Sequence, residues 1–316
     1  MGRIDLEKIL RSQTIYLDGA ITNNKPLITF VKKLKASKKA YFIYRGESNL
    51  LEHYNADTEN ILQLCEKIFM VGIKGRQFIT SRYQIIDALE FIWQRISEKV
   101  CLLAFSSDNT KNHVESFLDM NPDFRSFFLD NRKKNDFLSL KSLPDETKTK
   151  IIDYYLSLLH SIGKAGNSFS YFLSSSKKIS IAGHFSGNNS NSIIIYGWIP
   201  KKGLTHNLYL NKPDTSYIEI INSLGLPEYK TSIYSEQEEI CIKYGLLPQY
   251  IIGFQHYNNF YVNPAVYKTI HDNVICDGFD IDQSDFLKKL EETKYTKYFI
   301  VTDEYRYDMH KTYNTQ

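Results

Sequence analysis

Three short segments bring together residue types that can do chemistry. Tyr44-Arg45-Gly46 closes a run of four β-favouring residues, Tyr41-Phe42-Ile43-Tyr44. An Arg at a strand end presents a rigid fork of donors suited to a diphosphate, and a following Gly lets the backbone approach a ligand. Phe172-Leu173-Ser174-Ser175-Ser176, followed by Ala182 and Phe185, closes a strand with three hydroxyls that can hydrogen-bond one another and a sugar. Ser235-Glu236-Gln237-Glu238-Glu239 runs straight into the apolar Ile240-Cys241-Ile242. Carboxylates at the mouth of a buried strand are costly to desolvate without compensation. Such a Glu can hydrogen-bond a ribose hydroxyl and stabilise an oxocarbenium-like transition state. Each segment also has a plain reading: a surface arginine in a turn, a polar turn, an acidic loop.

Other chemistries lack their residues. There is no GxGxxG after a strand, no Walker A loop, no HExxH and no GxSxG, which argues against hydride transfer on a Rossmann fold, P-loop hydrolysis and zinc proteolysis. The eight histidines are scattered; His184 and His206 share a region, but no Cys or Asp stands at ligand spacing from either, so no metal is expected. Cys65, Cys101, Cys241 and Cys276 lie far apart with no CxxC pair, and read as reduced thiols of a cytoplasmic protein. No segment reaches 18 uninterrupted apolar residues, and the first ten residues carry no apolar signal core, so no membrane partner is expected. The 39 Lys+Arg against 36 Asp+Glu give a net charge of +3, too balanced to argue for nucleic acid or membrane from bulk electrostatics. The run Lys32, Lys33, Lys35, Lys38 and Lys39 reads as a solvated helix face.

The length, 316 residues, suits about two domains, and 42% hydrophobic residues supply a sizeable core. An amphipathic stretch and the basic run precede the first strand, which ends at Arg45. Helical spacing then takes over from about 51 to 165. Asp57-Thr58-Glu59-Asn60 precedes Ile61, Leu64, Cys65 and Ile68; Ser81 with Gln84 forms a plausible capping box before Ile85, Leu89, Ile92 and Ile96. Pro144-Asp145 opens a helix with Ile151, Ile152, Tyr155, Leu156 and Leu159 on its stripe, stopped near Gly163. After Gly166 strands are predicted at 169–173, 193–199, 240–242, 250–254 and 298–301, with a helix near 284–293. This order predicts an α+β fold rather than a doubly wound parallel sheet. It divides into 1–50 with the first core strand, a helical insertion at 51–165, and the remaining core at 166–316.

In this order the three segments resemble the Arg-Ser-Glu class of mono-ADP-ribosyltransferases. That class shows an aromatic-Arg-Gly strand end, then Phe-x-Ser-Thr-Ser followed by Ala and Phe, then Gln/Glu-x-Glu leading into an apolar strand. Tyr44-Arg45-Gly46, Phe172-x-Ser174-Ser175-Ser176 with Ala182 and Phe185, and Gln237-Glu238-Glu239-Ile240-Cys241-Ile242 carry the likeness. It covers Tyr41–Gly46 and roughly 165–260. Ser175 stands where Thr is usual, and the 129 residues between Arg45 and Ser174 require a large insertion.

The resemblance implies a split β-sheet core and NAD as co-substrate. It gives Arg45 the phosphates and ribose of NAD, with Gly46 and Phe185 in the same binding set. Ser174 would position the nicotinamide ribose and the catalytic Glu, and Ser176 would support the loop. Glu239 would bond the ribose 2′-OH and stabilise the oxocarbenium as nicotinamide leaves, and Gln237 would help recognise the acceptor. Glu236-Gln237-Glu238 also fits Glu-x-Glu, the arginine-modifying form, but the class places its catalytic Glu directly before the apolar strand, which favours Glu239. Tyr229 and Tyr234, in the loop before the motif, are candidate acceptor contacts. The implied activity is transfer of ADP-ribose to a macromolecule, nucleic acid in the first place or a protein. The implied setting is a bacterial toxin held by an antitoxin or inhibitor protein, in a toxin–antitoxin or phage-defence system. A plain NAD hydrolase, or a binding module without turnover, would share the fold.

Overall fold

The computed structural model describes residues 6–12, 14–15, 23–74, 88–163, 172–187, 189–201, 208–243, 245–275 and 278–293. Its secondary structure is mixed α+β, and its main strands form both parallel and antiparallel pairs. Two compact units are present: residues 1–74, 175–205 and 244–316 form the first, residues 75–174 and 206–243 the second. The expected boundaries at 50/51 and 165/166 do not coincide with these units. Residues 51–74 fall in the first unit, while 206–243 join the helices of the second.

In the first unit the strand order is β1 (Thr14–Ile15), β10 (Asn259–Val262), β9 (Ile251–His256), β5 (Ile193–Pro200), β2 (Ala40–Glu47) and the end of β4 (Phe172–Ser176). β1 and β10 are parallel and the other neighbours antiparallel, with Tyr44 opposite both Tyr196 and Ser176. A two-stranded ribbon joins β3 (Ile73–Lys74) to β8 (Gly245–Leu246). Four short helices precede or follow β2: α1 (Leu6–Ser12), α2 (Lys25–Ala36), α3 (Leu50–Tyr54) and α4 (Ile61–Glu66). α2 buries Leu27, Ile28, Phe30, Val31 and Leu34, a stripe at helical spacing, and Phe30 meets the edge of Trp198 at 5.1 Å between ring centres. Asn60 accepts from the Gln63 backbone N–H at 3.2 Å and so caps α4.

The second unit is mainly helical: α5 (Ala88–Gln94), α6 (Asp108–Met120), α7 (Pro122–Leu129), α8 (Asn131–Ser139), α9 (Asp145–Ser161) and α11 (Thr215–Ser223). Its strands are the start of β4, then β7 (Glu239–Lys243) and β6 (Leu208–Tyr209), the last two antiparallel. Aromatic rings fill its core, with Phe117, Phe124, Phe128, Phe137 and Tyr155 all buried and meeting one another at 5.0–6.3 Å. Three further helices are α10 (Ile179–Ser186), α12 (Pro264–His271) and α13 (Gln283–Glu291), all in the first unit. Cys65, Cys101 and Cys241 are buried free thiols. The predicted capping box Ser81–Gln84 and Ile85, the first residues 169–171 of one predicted strand, the strand 298–301, Gly166, His206 and Cys276 lie outside the described residues.

Candidate active site

The site is built on α9 and β7 of the second unit. Pro144 precedes α9, and Asp145 and Glu146 in its first turn complement the positive end of the helix dipole. Every residue from Ile151 to Leu159 is buried, so the polar residues among them must find partners inside. Asp153, Ser157 and His160 stand at i, i+4 and i+7 and share one face of the helix. On β7, alternation sends Ile240 and Ile242 to one face, and Glu239, Cys241 and Lys243 to the other.

These two polar stripes meet in sequence. Lys243 Nζ donates to Asp153 Oδ2 at 2.8 Å, in a pair whose side chains are only 2% and 1% exposed. The Cys241 thiol faces the Ser157 carbonyl oxygen at 3.9 Å. His160 Nε2 lies 3.9 Å from Glu239 Oε1. Seven residues of helix rise about 10 Å and four of strand about 13 Å, so the stripes stay in step over this length.

The third member comes from β4. Ser174 Oγ donates to Glu239 Oε1 at 2.5 Å and lies 2.7 Å from His160 Nε2. A hydroxyl has a single proton. When Ser174 gives it to Glu239, its oxygen can only accept from His160, which places a proton on Nε2. The order of donation is then His160 to Ser174 to Glu239. Glu239 is 5% exposed, and this chain compensates a carboxylate that would be costly to bury alone. Ser174 and Glu239, two residues singled out in the sequence, are thus brought together. His160, which the sequence reading did not single out, completes the group.

Burial pushes the Cys241 thiol well above its ordinary value, and the neighbouring Glu239 charge and hydrogen bond push it further. The thiol therefore stays protonated at neutral pH and is a poor nucleophile. The donor atoms of His160, Glu239 and Cys241 lie within 4.8 Å of one another, which makes them a group among the described residues able to hold a metal ion. Their N, O and S donors suit zinc. In this geometry, however, the Ser174 hydroxyl already bonds two of the three.

The other expected residues are placed as follows. Ser235–Gln237 form a single 3₁₀ turn, and Glu238 ends it in a left-handed conformation at φ 45°. Glu238 therefore lies in the turn, and Glu239 is the first residue of β7. Gln237 is half-buried, its backbone N–H bonded to the Tyr234 carbonyl at 3.0 Å. Tyr234 rests its ring on His113 and shares a hydrogen bond with Thr110 at 3.4 Å, both on α6. Tyr229 is 2% exposed, stacks on Tyr154 at 4.4 Å, and donates its backbone N–H to the Tyr154 hydroxyl. Its ring belongs to the core and has no surface to offer an acceptor. Its place in the loop before the motif suggested an acceptor contact, but packing against α9 buries the ring.

In the first unit, Arg45 directs Nε and Nη2 to Glu47 Oε1, each at 2.5 Å, with a side chain 16% exposed. Tyr54 donates to the same carboxylate oxygen at 3.3 Å. Gly46 sits under α10, where an added Cβ would come within 1.9 Å of the Ala182 carbonyl oxygen, so only glycine allows that approach. Ser176 Oγ accepts from the Lys178 backbone N–H at 2.9 Å. Phe185 is 55% exposed, its ring edge-on to His184.

Comparison with known proteins gives no relative. No family model, no curated protein and no solved structure matches the chain. Among the described residues no helix is long and apolar enough to cross a membrane.

Proposed function

We propose that this chain is a mono-ADP-ribosyltransferase on an ADP-ribosyltransferase-like fold, using NAD as its co-substrate. The observation that carries the reading is the short hydrogen bond from Ser174 to Glu239. The Ser of the hydroxyl run and the Glu that opens the apolar strand are 65 residues apart in sequence, and they are the pair the resemblance assigns to one task.

The chemistry follows from where charge develops. The bond between ribose C1′ and the nicotinamide nitrogen breaks, the nitrogen keeps the electron pair, and neutral nicotinamide departs. The ribose is left with oxocarbenium character. A carboxylate held in a low-dielectric site stabilises that positive charge far better than one in water, and it needs no reorganisation when its geometry is already fixed. Ser174 fixes Glu239 Oε1, and His160 fixes Ser174. The Glu239 carboxylate is the group the resemblance assigns to accept from the ribose 2′-OH. An acceptor nucleophile then bonds to C1′ and releases its proton to solvent. The resemblance assigns the phosphates to Arg45, whose guanidinium plane is set by Glu47 within the first unit. The acceptor is a macromolecule, with nucleic acid as the first choice, and an inhibitor protein restrains the activity in the producing cell.

Incubation with NAD labelled in its adenylate half and a whole-cell lysate tests this. Labelled macromolecules accompanied by free nicotinamide are the expected result. Loss of label on nuclease treatment would give a nucleic-acid acceptor, and loss on protease treatment alone a protein. No nicotinamide release and no label would overturn the enzyme reading and leave a binding module.

A further inference from the structure

His160, Glu239 and Cys241 all belong to the second unit and come from two elements far apart in sequence. Strand alternation sets Glu239 and Cys241, two residues apart on β7, on one face, and His160 in the last turn of α9 meets that face. Ligand spacing along the chain cannot show such a trio, because folding alone brings its members together. Its donor set selects the ion. Magnesium and calcium take oxygen ligands, whereas an imidazole nitrogen, a carboxylate and a thiolate together suit zinc.

The distances are close to those an ion needs. Around tetrahedral zinc, nitrogen and oxygen ligands lie about 3.4 Å apart, and a sulfur about 3.6 Å from either. Here His160 Nε2 and Glu239 Oε1 are 3.9 Å apart, and all three donor atoms fall within 4.8 Å of one another. The His160–Glu239 edge therefore has to close by only about 0.5 Å. Ser174 Oγ links these two atoms, at 2.7 Å from Nε2 and 2.5 Å from Oε1. Rotation about its Cα–Cβ bond clears the space between them and leaves an oxygen beside the ion, where this hydroxyl or a water completes four-coordination. Ser174 and His160 are half-buried, whereas Glu239 and Cys241 are buried, so an ion reaches the group past the first two.

We infer that His160, Glu239 and Cys241 form an inhibitory zinc site, which shuts the active site by taking the carboxylate that transfer requires. The inference names a regulator of that site and rests on the transferase reading for its effect on activity, but metal binding itself needs no NAD. As the ion binds, the Cys241 thiol becomes a thiolate and its proton passes to solvent. The two charges of the ion are then met by the thiolate and the carboxylate. Glu239 keeps no net charge to set against an oxocarbenium, and Ser174 no longer holds it in place.

The test is titration of the metal-free full chain with cobalt(II), which reports its ligands by absorption, followed by displacement with zinc. A thiolate-to-cobalt charge-transfer band in the near ultraviolet and intense visible bands of four-coordinate cobalt are expected, and zinc removes both. Cys241→Ala, confirmed folded by circular dichroism, loses the charge-transfer band. Its zinc affinity, read by competition with a chromophoric chelator, falls more than about a hundredfold, beyond the cost of losing an outer partner. His160→Gln weakens zinc in the same assay. Nicotinamide release is measured with and without zinc, each protein against its own metal-free rate. Zinc stops release in wild type, a chelator restores it, and Cys241→Ala escapes the inhibition. No charge-transfer band, or a band that persists in Cys241→Ala because cobalt sits on Cys65, Cys101 or Cys276, would overturn the site. Release that continues with zinc bound at Cys241 would overturn its inhibitory role. Metal binding without any nicotinamide release in the metal-free protein would overturn the enzyme reading and leave the zinc site standing; release without metal binding would do the reverse.

Discussion

Ser174→Ala removes one oxygen and with it two hydrogen bonds, at 2.7 Å to His160 and 2.5 Å to Glu239. The bond to the carboxylate is charge-assisted and contributes about 1.5–3 kcal/mol, and the other about 1 kcal/mol. Glu239 and His160 are both largely sheltered from water, so solvent replaces neither bond fully. The expected loss of unfolding free energy is therefore about 2–4 kcal/mol, read by urea denaturation. A double-mutant cycle with Glu239→Gln separates the charge-assisted share, because the amide keeps the shape and can still accept from the hydroxyl. A coupling of about 1 kcal/mol is expected. Ser174→Ala should also lower nicotinamide release about a hundredfold, since the carboxylate loses its fixed orientation. Additivity within about 0.3 kcal/mol, or a destabilisation below about 0.5 kcal/mol, would refute the claim that this hydroxyl holds the carboxylate.

Further consequences can be checked on the same protein. Lys243→Met leaves the Asp153 carboxylate buried without its partner and should cost about 3–5 kcal/mol, whereas Asp153→Leu with Lys243→Met recovers most of that loss in denaturation. Gly46→Ala drives a methyl into the Ala182 carbonyl and should destabilise by about 1–3 kcal/mol, seen as a lowered thermal midpoint. The thiols give a pH dependence. Burial holds Cys241 well above its ordinary value and pushes Cys101 up to about 12, so the native state keeps protons that the unfolded chain releases. Stability is then full below about pH 8.5 and falls as pH rises beyond it, by up to about 1.4 kcal/mol per pH unit for each thiol. Urea titrations between pH 8 and pH 10 should show this slope, and Cys101→Ala with Cys241→Ala should flatten it.

Local pattern made several elements legible. The Pro144-Asp145 start and apolar stripe predict α9, which runs Asp145–Ser161. The β-branched run at 193–199 becomes β5, Ile193–Pro200. Tyr41–Tyr44 lies in β2, and 240–242 in β7. The pairing of Ser174 with Glu239 was legible only through motif order, because no local rule joins residues that far apart. His160 was missed for a related reason. Attention to the apolar stripe of α9 hid its second face, where Asp153 and Ser157 are buried and His160 is half-buried. The usable signal was a helix with too little exposed surface to keep such residues in water, so they required polar partners on another element. Tyr229 was misread because a loop position says nothing of what packs over it.

The most direct measurement of the central claim is nicotinamide release from NAD by wild type, Glu239→Gln and Glu238→Gln, each confirmed folded by circular dichroism. Glu239→Gln removes one charge with little change of shape and should reduce release by a hundredfold or more, while Glu238→Gln retains it. Retained release in Glu239→Gln, or an equal loss in Glu238→Gln, would contradict the role given to the carboxylate that Ser174 and His160 hold.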